Sequence, residues 1–139
     1  REDEIGFALE TSTGPRTATI VDVGNPQCVF LVDEFDWDWR ALGREIETHP
    51  RFSNRTNVSF VKVIDRHTID ARFWERGAGE TASSGTGSTG ATVGAILSGR
   101  CESPIRVVTT AGDLELSWED DVVLVGPAVV VCRGEYWDE

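Results

Sequence analysis

The run from Trp74 to Gly87, Trp-Glu-Arg-Gly-Ala-Gly-Glu-Thr-Ala-Ser-Ser-Gly-Thr-Gly, joins a charged pair, Glu75 and Arg76, to a glycine- and serine-rich turn that leads into an apolar stretch. If that stretch is a helix, its first N–H groups lack intrahelical acceptors and lie at the positive end of the helix dipole, which suits a carboxylate or a phosphate. An arginine beside it adds a planar fork matched to a carboxylate. Polyphosphate is disfavoured, because no Lys follows the second glycine as in a phosphate-binding loop and Glu75 and Glu80 are acidic neighbours. Gly77-Ala78-Gly79 does not complete a dinucleotide fingerprint with a following βαβ unit. The low complexity of 81–90 also suits a plain Gly/Ser linker, so spacing alone leaves the two readings open.

A loop of this kind needs a strand to deliver it and a helix to receive it. Thr68 to Trp74 alternates Ile69, Ala71 and Phe73 on one face with Asp70, Arg72 and Trp74 on the other, which predicts a strand with one buried face. Thr86 to Ser98 carries Ala91, Val93, Ala95, Ile96 and Leu97, no charged residue, and Gly87, Gly90 and Gly94. A helix apolar all round must be enclosed, and its small residues let strands approach closely.

The remaining segments read as short strands and one more helix. Thr17–Val23 and Cys28–Val32 flank the turn Gly24-Asn25-Pro26-Gln27, and Ile105–Thr110 and Leu114–Trp118 flank Ala111-Gly112-Asp113 as a hairpin. Val122–Val125 and Val129–Cys132, parted by Gly126-Pro127, are apolar on both faces, which predicts strands covered on both sides. Trp39 to Thr48, with Leu42 and Ile46 inward and charged residues at surface spacing, predicts an outer amphipathic helix that stops before Pro50. The expected fold is α+β, a curved mixed or antiparallel sheet of roughly seven or eight strands forming a partial barrel around the buried helix. At 139 residues the chain fits a single domain, 1–139.

Composition narrows the partners. Forty per cent hydrophobic and 27% charged residues are ordinary for a folded domain, while a net charge of −11 repels phosphate backbones and anionic lipid. No nucleic acid and no membrane are expected as partners; a small ligand can still meet a local basic group. No signal peptide or long apolar run occurs, and Cys28, Cys101 and Cys132 form no Cys-x-x-Cys pair, so a cytoplasmic, reducing location is expected. Cys101 and Cys132 are expected in or near strands, buried. His49 and His67 are expected in solvent-exposed loops, with no metal. The single lysine, Lys62, sits in a strand without a pocket signature, so a pyridoxal Schiff base is not favoured and no cofactor is expected. The chain has no methionine, even at position 1, and is expected to have been cut or processed, with an upstream segment missing.

Four ordered blocks resemble the diaminopimelate epimerase family, specifically its C-terminal half. They are Gly24-Asn25-Pro26-Gln27-Cys28-Val29, Glu45-Ile46-Glu47-Thr48-His49-Pro50-Arg51-Phe52, Asn54-Arg55-Thr56-Asn57-Val58-Ser59-Phe60, and the loop that opens with Glu75-Arg76. The resemblance covers nearly the whole chain from Val21 onward. It implies two similar halves, each a strand layer around a central helix, with the active site in the cleft between them. It also implies cofactor-free inversion at the α-carbon of an amino acid, the interconversion of LL- and meso-diaminopimelate in lysine biosynthesis. In the family two cysteines, one from each half, remove and return the proton on opposite faces. Carried over residue by residue, Asn25, Asn57, Glu75 and Arg76 match positions that hold the amino and carboxylate ends of the substrate, a small-molecule amino acid or dicarboxylate, and Glu75 is expected to be catalytic as well, beside Ser84. Gly85 and Thr86 match backbone donors at the helix N-terminus, and Cys28 matches a structural cysteine.

Two positions depart from the pattern. The family's catalytic cysteine in this loop falls on Ser84, whose hydroxyl is a far weaker acid than a thiol with its reference pKa of about 8.5. Gln27 stands where the family usually has His, and an amide cannot relay a proton as imidazole can. Three readings remain open: an epimerase half carrying an engineered serine, a relative that uses a single base from the other half, and a binding module that kept the cradle and lost catalysis. The partner implied is the missing N-terminal half or a second copy of this chain, a homodimer imitating the two-half enzyme.

Overall fold

In the computed structural model, which describes residues 4–138, the alternating segment becomes strand β5 (Thr68–Glu75), with Ile69, Ala71 and Phe73 buried as its pattern requires. Preceding it in the chain are β1 (Glu4–Thr11), β2 (Gly14–Asp22), β3 (Pro26–Leu31), helix α1 (Trp39–Glu47) and β4 (Asn57–Asp65). Following it are β6 (Gly79–Thr81), helix α2 (Gly85–Leu97), β7 (Ile105–Thr109), β8 (Gly112–Trp118) and β9 (Val122–Val125). Among the described residues the strands form one nine-stranded sheet, ordered β1-β2-β3-β4-β5-β7-β8-β9, with β6 paired to β5 alone. The β3–β4 and β5–β7 pairs are parallel and the others antiparallel, so the sheet is mixed. It does not close on itself.

Helix α2 explains the curvature. It touches strands from β2 to β9, which one straight helix can do only if the sheet bends around it. Its residues from Gly87 to Ala95 are buried except Thr89, and one core cluster joins Ala91, Val93 and Ala95 to Val29, Val61, Phe73, Val107 and Leu116. Close approach depends on the missing side chains: a Cβ on Gly90 would lie 2.7 Å from both Cβ and Cγ of Gln27. Gly90→Ala is therefore expected to lower stability by about 1–2 kcal/mol, because overpacking outweighs the better helix propensity of alanine. Urea unfolding measures the loss, and an unchanged or raised midpoint would refute this account of the contact.

Helix α1 covers the other side of the sheet. Asp38 caps it by accepting a hydrogen bond from the Ala41 N–H at 3.1 Å, and Trp39, Leu42 and Ile46 pack with Leu9, Cys28, Phe30, Phe52, Val58 and Phe60 in a second cluster. Strands β3 and β4 lie between the two helices and are buried on both faces over Gln27–Phe30 and Val58–Val61, which accounts for the apolar run Cys28–Leu31 and for the burial of Ser59 among Val58, Phe60 and Val61.

Several expectations need correction. The sheet has more strands than expected, since β1 and β6 have no clear period. Val122–Val125 forms a strand, but Val123, Leu124 and Val125 are exposed; Val129, Val130 and Val131 belong to no strand and are more exposed still. Their apolar content calls for a cover, and β9 is the last strand on its side of the sheet. Cys132 is likewise exposed, whereas Cys101 is buried as expected. His67 is exposed in a turn, but His49 is half-buried, with its Nε2 2.9 Å from the Glu10 carbonyl. Among the described residues no helix is long and apolar enough to cross a membrane.

Candidate functional site

The polar residues singled out in sequence gather at one end of the central strands. Asn25 lies in the turn before β3, Asn57 opens β4, and Glu75 closes β5 with Arg76 after it. This follows from chain direction: β3 and β4 run parallel, with Gln27 opposite Asn57, while β5 runs antiparallel, with Trp74 opposite Val58. The starts of two strands and the end of the third therefore coincide.

Side-chain hydrogen bonds join the three segments. Asn57 donates from Nδ2 to the Pro26 carbonyl at 3.2 Å and accepts the Arg76 N–H on Oδ1 at 2.9 Å. Gln27, fully buried, donates from Nε2 to Asn25 Oδ1 at 2.7 Å, which leaves Nδ2 as the remaining donor of the Asn25 side chain. Thr81 donates to Glu75 Oε1 at 3.0 Å, and Arg76 donates from Nη1 to the Asn54 carbonyl at 3.0 Å. The charge of exposed Arg76 is thus anchored at one nitrogen only.

The N-terminus of α2 opens at the same end. Ser59 donates to the Gly87 carbonyl at 3.4 Å, and Gly87 and Gly90 lie against Phe73 and Gln27 respectively. Ser84 is the helix cap, with extended backbone and with Oγ accepting the Gly87 N–H at 3.0 Å. Gly85 and Thr86 are exposed, and among the described residues their N–H groups meet no acceptor. This is the expected electrostatics of an uncovered helix start, favourable to an anion. Leu124 from β9 is the neighbour nearest to Gly85, its Cδ1 3.9 Å from where a Cβ would stand.

The turn between β5 and β6 depends on Gly77 and Gly79, both with φ near +80°, a region that costs a residue with a Cβ. A residue that sequence reasoning placed on the surface of α1 secures this turn. Glu47 is buried, accepts the Gly77 N–H on Oε1 and the Trp74 indole N–H on Oε2, each at 2.8 Å, and lies 3.4 Å from Arg55 Nη1. Burial alone pushes its carboxyl up, but the Gly77 and Trp74 bonds and the Arg55 charge outweigh that and hold it below the usual carboxylate range. One signal was available in the sequence: Gly43, one helical turn before Glu47, is a poor helix former on that face and marks a close approach.

Other titratable groups lie outside this cluster. Burial raises the Cys28 thiol far above its ordinary range, which suits a packing role rather than a nucleophile. Lys62 bonds both oxygens of Glu34, at 2.9 and 2.8 Å.

Comparison with known proteins places these features in context. The family model described as diaminopimelate epimerase matches residues 19–131. The chain is 43% identical over 122 residues to the diaminopimelate epimerase of Moorella thermoacetica, a match covering 85% of this chain and 44% of that protein. It is 46% identical over 137 residues to that of Aromatoleum aromaticum, covering 96% of this chain and 50% of that protein. The chain spans about half the length of the curated relatives it matches. Among solved structures, a phenazine biosynthesis protein of the PhzF family from Enterococcus faecalis superimposes with a TM-score of 0.54 at 12% identity, over 69% of this chain and 35% of its own. One from Bacillus anthracis does so with 0.53 at 17% identity, over 83% and 35%. At such identities these two share the fold alone.

Proposed function

Because the chain belongs to the diaminopimelate epimerase family, we propose that residues 1–139 form one domain that supplies one face of an amino-acid site of that type. Asn25, Asn57, Glu75 and Arg76 bind the polar ends of the substrate, and the Gly85 and Thr86 N–H groups receive a carboxylate. Ser84 occupies the proton-transfer position. The other face comes from the upstream half or from a second copy of the chain, and either would also cover the apolar residues 122–131.

The observation that carries this reading is the Asn57 side chain, which ties the Asn25 turn to the Arg76 loop beside an uncovered helix N-terminus. An α-proton is very weakly acidic, so an inverting site must stabilise the developing negative charge on the substrate and hold a group on each face to move the proton. The helix start offers the first of these. Ser84 serves the second poorly: its Oγ is occupied as a helix cap, and its hydroxyl holds its proton at neutral pH. Inversion by this chain alone is accordingly very slow or absent. That same observation favours, as the second reading, a relative that moves the proton on one face only.

The test is calorimetry with LL- and meso-diaminopimelate, followed by incubation in deuterium oxide. Saturable binding is expected, weakened about 10- to 100-fold by Arg76→Ala, the range for a charge-assisted hydrogen bond. Failure to bind either isomer would remove the reading. Rapid inversion would overturn the role given to Ser84, and deuterium exchange without inversion would select the single-face relative.

A further inference from the structure

We propose that Glu47 is a positioning residue for this site, a buried carboxylate that grips the chain on both sides of the Glu75–Arg76 pair and so sets the direction in which that pair meets a ligand. The inference rests on the function proposed above and deepens it.

Three observations lead to it. First, the two donors to Glu47 bracket the pair: the Trp74 indole N–H precedes Glu75, and the Gly77 N–H follows Arg76. With Asn57 accepting the Arg76 N–H, two successive backbone amides end on side-chain oxygens, which restrains the peptide plane on each side of Arg76. Second, α1 is brought close for the purpose. A Cβ on Gly43 would stand 2.8 Å from Trp74 Cβ and 2.9 Å from its Cγ, so only glycine lets the helix lie against the indole and carry Glu47 within reach. Third, Glu47 is only 7% exposed although its nearest cation, Arg55, is 3.4 Å away and itself exposed. A buried carboxylate is costly unless its oxygens are well bonded, and those bonds are spent on the loop. Arg40 supports the arrangement from the same helix, donating to both oxygens of Glu80 in β6 at 2.5 and 2.7 Å.

A residue that merely stabilised the fold would weaken binding by the same factor whether or not Arg76 is present. One that acts through Arg76 would not. The experiment is a double-mutant cycle on the chain with Glu47→Gln, close to isosteric, and Arg76→Ala, reading affinity for meso-diaminopimelate by calorimetry. Glu47→Gln presents an NH2 group to one of two N–H donors, so the Gly77 amide or the Trp74 indole proton resonance should move upfield. Affinity should fall about tenfold in the otherwise unsubstituted chain and less than twofold beside Arg76→Ala. Glu47→Asp, which keeps the charge but shortens the reach, should behave like Glu47→Gln and serves if the amide variant folds poorly. Equal losses in both backgrounds, or unchanged affinity with shifted resonances, would overturn the inference. Absence of binding by the unsubstituted chain would instead remove the functional reading beneath it, an outcome distinguishable because it needs no substitution.

Discussion

Replacing Ser84 with cysteine is expected to raise the rate of α-proton exchange in diaminopimelate by about 10²- to 10⁴-fold, the range a positioned acid–base group contributes. A thiol titrates near pH 8.5, and a helix N-terminus lowers that value by stabilising the thiolate. Ser84 is the cap of α2 with its side-chain atom at the first turn, so a thiolate there would face the positive end of the dipole. A serine hydroxyl has no comparable anionic population. The substitution also has a cost, because serine is among the best capping residues and its hydroxyl holds the Gly87 N–H. Loss of that bond should reduce stability by about 1 kcal/mol. Faster exchange and a lower unfolding midpoint should appear together. Deuterium incorporation followed by proton NMR measures the first, and urea unfolding the second. If Ser84→Cys exchanges no faster than the unsubstituted chain, this position is not where the proton moves.

The second large effect concerns stability. Phe60→Ala should destabilise the chain by about 3–5 kcal/mol, a substantial part of the 5–15 kcal/mol typical of a domain. Phe60 is fully buried in β4. Its ring stacks on Phe30 with centroids 5.6 Å apart and meets Trp37 edge-on at 5.7 Å and Trp39 at 5.6 Å. Truncation removes apolar surface from the core and breaks these aromatic pairs, and two of the partners, Trp37 and Trp39, lie in and next to α1, which cannot settle into the gap without leaving Trp74. Urea unfolding should show a much lower midpoint with an unchanged slope. A loss below about 1.5 kcal/mol would mean that the site collapses around the smaller residue and that this cluster does not fix α1.

The two effects meet in α1. The aromatic cluster holds the helix on the sheet, Gly43 lets it approach Trp74, and Glu47 reaches from its last turn to the loop that carries Arg76. A substitution such as Phe60→Ala, placed in the core, is therefore also a perturbation of the candidate site.

Local features of the fold are legible in the residues themselves. The period-two run at 68–74, the apolar stretch at 86–98 and the amphipathic 39–48 correspond to β5, α2 and α1 to within a residue or two, because side-chain periodicity records which faces are buried. The hairpin around Gly112 also forms, with Ile105 opposite Leu116. A charge-free α2 requires an enclosing sheet, and a curved mixed sheet surrounds it. The site candidates Asn25, Asn57, Gly85 and Thr86 come from the resemblance of ordered blocks to the family, whereas residue types alone point only to an anion site at the 75–87 loop.

What is settled only in three dimensions is adjacency. Nothing in a local window states that β3 and β4 run parallel, yet that direction brings Asn25, Asn57 and Arg76 to one end of the sheet. Glu47 reads as a solvated helix residue because helical spacing cannot reveal that a tryptophan and a glycine amide from β5 and its turn arrive to satisfy it. The valines after residue 121 read as covered on both faces because hydrophobicity signals a need for burial without naming what meets it. Propensity and pattern act over a few residues and are written in the chain itself, whereas pairing and burial of charge depend on contacts between distant segments and exist only once the sheet has curved around its helix.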